Sequence, residues 1–335
     1  MADAGSALLD VQGLSVDIDV PGGTLHAVSD VSFAVGAGET FCLVGESGCG
    51  KTMTSLALVR LLPRRARLSA TRLMFEGRDL ARASEREMVA LRGNRLGMIF
   101  QDPMTSLNPY LRIEDQLIEP LLIHEDIDRR DAVKRGICML EEVGVPDAAR
   151  RIRGYPHEFS GGMRQRVMIA MALITQPELL IADEPTTALD VTIQAQILDL
   201  LKDLKKKTGM SILLITHNLG IVGDLADKVA VMYAGRIVEQ APADVLLKKP
   251  LHPYTIGLMR SIPKLGAHAE RLHSIPGTVP DAARLPAGCK FHARCDRAQG
   301  DCPLDPEPKL AEADGNPRRV RCPYWDKPEL KRAIP

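Results

Sequence analysis

Thr40-Phe41-Cys42-Leu43-Val44-Gly45-Glu46-Ser47-Gly48-Cys49-Gly50-Lys51-Thr52 is the stretch that decides the fold class. The run from Thr40 to Val44 reads as a short buried strand, and the chain from Thr52 onward reads as a helix. Between them stands Gly45-x4-Gly50-Lys51-Thr52, a phosphate-cradling loop in the strand–loop–helix setting that it needs. Its glycines let the backbone N–H groups from Gly45 through Glu46, Ser47, Gly48 and Cys49 to Gly50 close around an anion. The helix N-terminus adds partial positive charge, Lys51 reaches the outer phosphates, and Thr52 can ligate Mg²⁺. Cys49 lies inside this loop, and a redox sensor or a small tolerated residue would each fit there.

Downstream, Leu179-Leu180-Ile181-Ala182-Asp183 is a second continuous apolar strand, as a parallel sheet covered on both faces requires. It ends on Asp183, placed to hold Mg²⁺ through water, and on Glu184, placed to orient an attacking water. A third strand, Ser211–Thr216, runs into His217, a residue type that by itself is more often a surface or packing histidine. The segment Phe159-Ser160-Gly161-Gly162-Met163-Arg164-Gln165-Arg166 discriminates most. Ser160 can cap the helix through Val167 to Ile174, and the two glycines leave its first amides uncovered, which builds a second anion site.

Taken together the chain resembles the ATP-binding cassette (ABC) family. The likeness rests on the phosphate loop, Gln101 after the strand Leu96–Phe100, Ser160-Gly161-Gly162, Asp183-Glu184-Pro185, Ala188-Leu189-Asp190 and His217, in that order. The wording Phe100-Gln101-Asp102-Pro103-Met104-Thr105-Ser106-Leu107-Asn108-Pro109, Phe159-Ser160-Gly161-Gly162-Met163-Arg164-Gln165-Arg166 and His252-Pro253-Tyr254-Thr255 resembles the dipeptide/oligopeptide (peptide/nickel) importer branch, as does a late cysteine cluster. The resemblance implies an α/β P-loop NTPase fold: an ABC nucleotide-binding domain with an antiparallel β subdomain, a helical subdomain and a C-terminal Cys-rich extension. It implies ATP hydrolysis coupled to import of di- or oligopeptides, with Lys51 and Gly50 on phosphate and Thr52, Gln101 and Asp183 serving Mg²⁺. Glu184 becomes the general base and His217 a γ-phosphate contact. Ser160, Gly161 and Gly162 act across a dimer on ATP held by the other subunit, and Asp190 lies in the linking loop. The implied partners are a second ABC ATPase subunit, identical or homologous, two transmembrane permease subunits and an extracytoplasmic peptide-binding protein. The implied location is peripheral, on the cytoplasmic face of the inner membrane. One departure concerns adenine: the position that usually carries a stacking aromatic is Ile18.

Composition marks a boundary near residue 250, because more than half of the 23 prolines and four of the seven cysteines follow it. Residues 1–250 are read as the ATP-binding domain, with the helical subdomain at about 102–165, and residues 251–335 as the extension. Cys289-x5-Cys295-x6-Cys302-x19-Cys322 lies in a segment too short and proline-rich to bury much core, which favours a metal staple. Spacing alone leaves Zn²⁺ and an iron–sulfur cluster open; the resemblance implies a [4Fe–4S] cluster, with Phe291, Tyr324 and Trp325 shielding it. With the phosphate loop in a separately folded core, changes to these cysteines should impair transport more than ATP binding.

The remaining composition narrows the class. Lys+Arg and Asp+Glu are both 43, which gives no support for a chain that coats nucleic acid or anionic lipid. No apolar run is long enough to span a membrane, and the first residues, MADAGSALLD, lack the pattern of a signal peptide, so a soluble chain of the cell interior is expected. The rival readings are an ABC-type ATPase acting on nucleic acid or ribosomes, disfavoured by the single cassette and the lack of heptads, and import of nickel chelates or related solutes.

Overall fold

A computed structural model of the chain describes residues 7–102, 106–187, 190–262, 274–314 and 317–327. Pro103, Met104 and Thr105 of the Phe100–Pro109 stretch, and Ala188 and Leu189 before Asp190, lie outside the described residues. The chain forms two compact units.

One unit comprises Met1–Val35, Thr40–Ala81 and Thr216–Pro335. The strand Ala7–Val20 pairs antiparallel with Ala66–Ser69 and with Arg72–Phe75, in the registers Ile18↔Ala66 and Leu9↔Phe75. Leu9, Val11, Leu14 and Val16 face inward and are fully buried, so the inward phase switches between Val11 and Leu14. Gly13, with φ +61°, sits at that switch, where a left-handed residue absorbs the extra step. In a second sheet, Thr40–Val44 runs parallel to Lys228–Tyr233, which pairs antiparallel with Arg236–Pro242. Every residue of Thr40–Val44 is buried, matching the apolar run read from the sequence.

The tail joins this sheet. Arg319–Val320 pairs with Glu239–Gln240 of the Arg236–Pro242 strand, and Ala311–Glu312 pairs with Arg319–Val320. Two groups pin the junction. Leu251, Ala313 and Val320 form a small core with Cys322 and Trp325 against it, and the fully buried Arg318 Nη2 meets Glu239 Oε1 at 2.7 Å. Glu239 also accepts the N–H groups of Leu251 and His252, each at 2.9 Å, and Arg318 donates to the Lys249 carbonyl. Removing one member of such a buried pair strands the other charge. Arg318→Ala is therefore expected to lower unfolding stability by about 3–5 kcal/mol, measured as a fall in the urea midpoint. The double variant Arg318→Met/Glu239→Gln should recover much of the loss.

The other unit comprises Gly36–Glu39 and Arg82–Ile215. Its strands Leu96–Ile99, Leu179–Asp183 and Ser211–Thr216 are parallel neighbours, with Ile99↔Ala182 and Asp183↔Ile215 in register. Both Leu179–Asp183 and Ser211–Thr216 are buried throughout. The helices Ile113–His124, Arg129–Glu142 and Gly161–Leu173 pack around shared apolar positions, where Gly136 admits Leu117, Ile118 and Ile152. Asp128 caps the second of these by accepting the Asp131 N–H, a local signal of the expected kind. No helix among the described residues is long and apolar enough to cross a membrane.

Candidate nucleotide site and cysteine cavity

The helix after the phosphate loop spans Lys51–Leu58, with Gly50 as its left-handed cap at φ +104°. The close approach of neighbouring backbone decides two glycines. A Cβ on Gly45 would lie 2.2 Å from the Met232 carbonyl oxygen, and one on Gly50 would lie 2.4 Å from that of Ala27. No side chain fits at either position, so only glycine lets the loop approach its neighbours this closely. Lys51 is buried, and its Nζ donates to the carbonyls of Gly45 at 2.8 Å and Glu46 at 3.1 Å. Its cationic end is thereby laid along the loop that would receive phosphate.

Cys49 is 1% exposed, and burial pushes its thiol up to about 11. A thiol kept protonated and covered is a poor redox sensor. Of the two readings the sequence left open, a small packed residue is the one that fits, and its Sγ occupies space against Gly45.

In the unit that contains them, Asp183 and Glu184 are both buried at the end of the Leu179–Asp183 strand. Glu184 adopts φ +47°, a left-handed conformation that non-glycine residues rarely take and that gathers at functional sites. Its N–H donates to the Ile215 carbonyl at 2.9 Å. Its carboxylate accepts from Thr187 Oγ1 at 2.9 Å and from Gln101 Nε2 at 3.4 Å. The structure thus brings Gln101 and Glu184 together across 83 positions of sequence and adds Thr187, which the sequence reading did not single out. Ser160 caps the Gly161–Leu173 helix by accepting the Met163 N–H at 3.4 Å. Ser160 and Gly161 are exposed, and a Cβ on Gly161 would meet nothing within 4 Å. Asp190 caps Val191–Thr208 by accepting the Ile193 N–H at 2.9 Å. His217 is exposed, immediately after the Ser211–Thr216 strand. Ile18 is half-buried and paired with Ala66.

The tail is not separate from the phosphate loop, contrary to the expectation drawn from composition. The Glu46 N–H donates to Tyr254 Oη at 2.9 Å, and the Glu46 carboxylate is gripped by Arg294 at 2.7 and 2.9 Å. Tyr233, Tyr254, Phe291 and His252 form one aromatic cluster behind them, with ring centroids 4.7–5.9 Å apart. His252 caps the helix Pro253–Arg260 by accepting the Tyr254 N–H at Nδ1, and burial pushes its pKa down to about 3, which keeps the acceptor free of a proton. The sequence hinted at this contact only indirectly: His252-Pro253-Tyr254-Thr255 stood out, and Glu46 is an acid inside an anion-binding loop.

All four tail cysteines line one cavity of about 470 Å³, together with Phe291, Tyr324 and Trp325. None forms a disulfide. Burial raises the thiol pKa of Cys289, and pushes those of Cys295 and Cys322 up to about 11 and about 12. The expected metal site is nevertheless not reproduced. Among the described residues no group of three or more His, Cys, Asp or Glu side chains is placed to hold a metal ion. A zinc ion needs four donors drawn in to about 2.1–2.3 Å, and the cysteines surround a cavity without converging on one point.

An Asp-Glu strand end, a clamped phosphate loop and a capped glycine helix define an ATP-binding-cassette ATPase. Comparison with known proteins agrees. The model of the ABC transporter family matches residues 28–187, and that of the oligopeptide/dipeptide transporter C-terminal region matches residues 238–302. A putative peptide import ATP-binding protein of Brucella melitensis is 49% identical over 330 residues, covering 95% of this chain and 97% of that protein. The dipeptide transport ATP-binding protein DppD of Bacillus subtilis is 51% identical over 296 residues, 88% of each chain. The oligopeptide transport ATP-binding protein OppD of Escherichia coli is 49% identical over 300 residues, 90% of this chain and 89% of that one. Among solved structures, the ATP-binding cassette MJ0796 bound to ADP and Pi superimposes with a TM-score of 0.63 at 22% identity, covering 70% of this chain and 98% of that one. CbiO1 of Clostridium perfringens, part of an ABC transporter complex, gives 0.62 at 26%, covering 73% and 92%. The chain belongs to the ABC transporter ATP-binding proteins, in the family that carries the oligopeptide/dipeptide transporter C-terminal region.

Proposed function

We propose that this chain is the ATP-hydrolysing subunit of a membrane importer of di- or oligopeptides. The observation that carries the reading is near-full-length identity to peptide and dipeptide transport ATP-binding proteins, on a chain whose phosphate loop has the close backbone approaches just described. Nothing in those relatives favours the nucleic-acid or ribosome alternative. In this reading residues 1–250 are the ATP-binding domain and 251–335 the extension. The helical subdomain at about 102–165 faces two transmembrane permease subunits. Exposed Tyr110 (87%) and Ile123 (63%) support such a docking face. An extracytoplasmic peptide-binding protein delivers cargo, and the assembly sits peripherally on the cytoplasmic face of the inner membrane.

The chemistry follows from the side chains. Lys51 and the loop amides from Gly45 to Gly50 hold the outer phosphates. The donors Thr52, Gln101 and Asp183 are all oxygen ligands, which suits Mg²⁺; the ion, when bound, neutralises charge that develops on the phosphates. Glu184, steadied by Thr187 and Gln101, takes the proton of the attacking water. His217 contacts the γ-phosphate. The Ser160-Gly161-Gly162 helix end presents N–H groups to ATP held by a second cassette, and Asp190 belongs to the loop between the two sites. Reconstitution with its permeases and a peptide-binding protein is the test: peptides should stimulate hydrolysis, and stimulation by nickel chelates alone would reassign the cargo.

The cysteine cavity is proposed to receive a [4Fe–4S] cluster with Cys289, Cys295, Cys302 and Cys322 as ligands. Four unpaired thiols around one apolar-walled cavity support it, because a cluster is bulkier than a single ion. Loading would displace the thiol protons and tie the tail together. Anaerobically purified protein is expected to be brown, with about four iron and four sulfide per chain. Stoichiometric zinc without iron would overturn the assignment.

A further inference from the structure

The acid Glu46 is out of place in a loop that must receive a polyphosphate. An uncompensated carboxylate there would repel the ligand and leave the loop free to shift. Arg294, 248 positions away in the extension, answers both problems. Its Nη1 and Nη2 donate to Glu46 Oε2 and Oε1 at 2.7 and 2.9 Å, a paired geometry that fixes direction as well as charge. The guanidinium is itself held. Nε donates to the Pro276 carbonyl at 2.8 Å, Nη2 reaches the Ile275 carbonyl at 3.4 Å, and Nη1 reaches Tyr233 Oη at 3.4 Å. It also lies 5.7 Å from the centre of the Tyr233 ring. The Arg294 side chain is 6% exposed against 31% for Glu46, so the arginine is the rigid partner and Glu46 the one held.

We infer that the C-terminal extension completes the nucleotide site, with Arg294 a positioning residue that neutralises and orients Glu46 of the phosphate loop. The inference rests on the reading of that loop as the ATP site. The link to the ligand is short. The Glu46 carbonyl accepts from Lys51 Nζ at 3.1 Å, while the Glu46 N–H donates to Tyr254 Oη at 2.9 Å. Displacing Glu46 therefore moves an acceptor that aims the phosphate-binding lysine. The loss of Arg294 acts twice, by freeing a negative charge beside the phosphates and by loosening the backbone that carries Lys51.

The experiment titrates a fluorescent ATP analogue into the full chain and its Arg294→Ala, Arg294→Lys, Glu46→Gln, Arg294→Ala/Glu46→Gln and Lys51→Ala variants. Arg294→Ala should weaken binding about tenfold or more, the scale of a lost charged hydrogen-bond pair. Arg294→Lys, which keeps a cation but not the fork, should fall between it and the wild type. The double variant should bind within about threefold of Glu46→Gln alone, because removing the acid removes the need for its partner. A residue that only stabilised the tail would give no such rescue. Wild-type affinity in Arg294→Ala, or a double variant no better than Arg294→Ala, overturns the inference while Lys51→Ala remains defective. Lys51→Ala that binds as well as the wild type overturns the site reading and the inference with it.

Discussion

Glu184→Gln is expected to reduce ATP turnover by about 10²–10⁴-fold, the scale of a lost general base, and to leave nucleotide affinity unchanged within a small factor. The substitution is nearly isosteric. An amide oxygen can still accept from Thr187 Oγ1 and Gln101 Nε2, which lie 2.9 and 3.4 Å from the carboxylate. The left-handed backbone at φ +47° makes the same demand on either side chain. What disappears is the capacity to take a proton from water in the transition state, and such a loss lowers kcat without changing ground-state binding. Steady-state phosphate release and an equilibrium titration with ATP measure the two effects separately. Turnover within about tenfold of the wild type, against the range expected of a base, would take Glu184 out of that role.

Lys51→Ala should do the opposite and abolish tight binding. Lys51 is 4% exposed, and its Nζ lies along the loop on the carbonyls of Gly45 and Glu46. Its charge is therefore already held along the loop, with little motion left to restrict on binding. A hydrogen bond to a charged group is worth about 1.5–3 kcal/mol, so affinity should fall about ten- to a hundredfold or more. Hydrolysis at saturating ATP would also be impaired, because the same ammonium stabilises the transferring phosphate. Unchanged affinity in a variant with a normal unfolding midpoint would mean that the loop does not hold phosphate through this lysine.

Much of the ATPase body is legible one segment at a time. Thr40–Val44, Leu179–Asp183 and Ser211–Thr216 are read from sequence with the same bounds that they have in the fold. Buried parallel strands are covered on both faces, and so appear as unbroken apolar runs. Ser160 is likewise visible as a helix cap because a cap is satisfied within three residues of itself, whereas Asp190, read only as a loop residue, is shown by the structure to cap Val191–Thr208. The antiparallel portion is less legible, since the switch of inward phase at Gly13 breaks the period-two pattern in the middle of Ala7–Val20.

By itself, then, the sequence determined the glycine-rich loop before Lys51, the Asp183-Glu184 strand end, the Ser160 helix cap and the family, each carried by motifs within short windows. Only the tertiary structure decided how Glu184 is held, that the four cysteines ring a cavity without converging, and that the extension grips the phosphate loop. The Arg294–Glu46 and Tyr254–Glu46 contacts join residues 248 and 208 positions apart. Nothing local encodes such a pair. It exists because Thr40–Val44 lies beside Lys228–Tyr233 in one sheet, which carries Tyr233 to the loop, and because Tyr254, tilted, and Phe291, edge-on, pack against Tyr233 and bring Arg294 with them. Packing of this kind is a property of the folded core, where charge, ring packing and backbone approach are satisfied together.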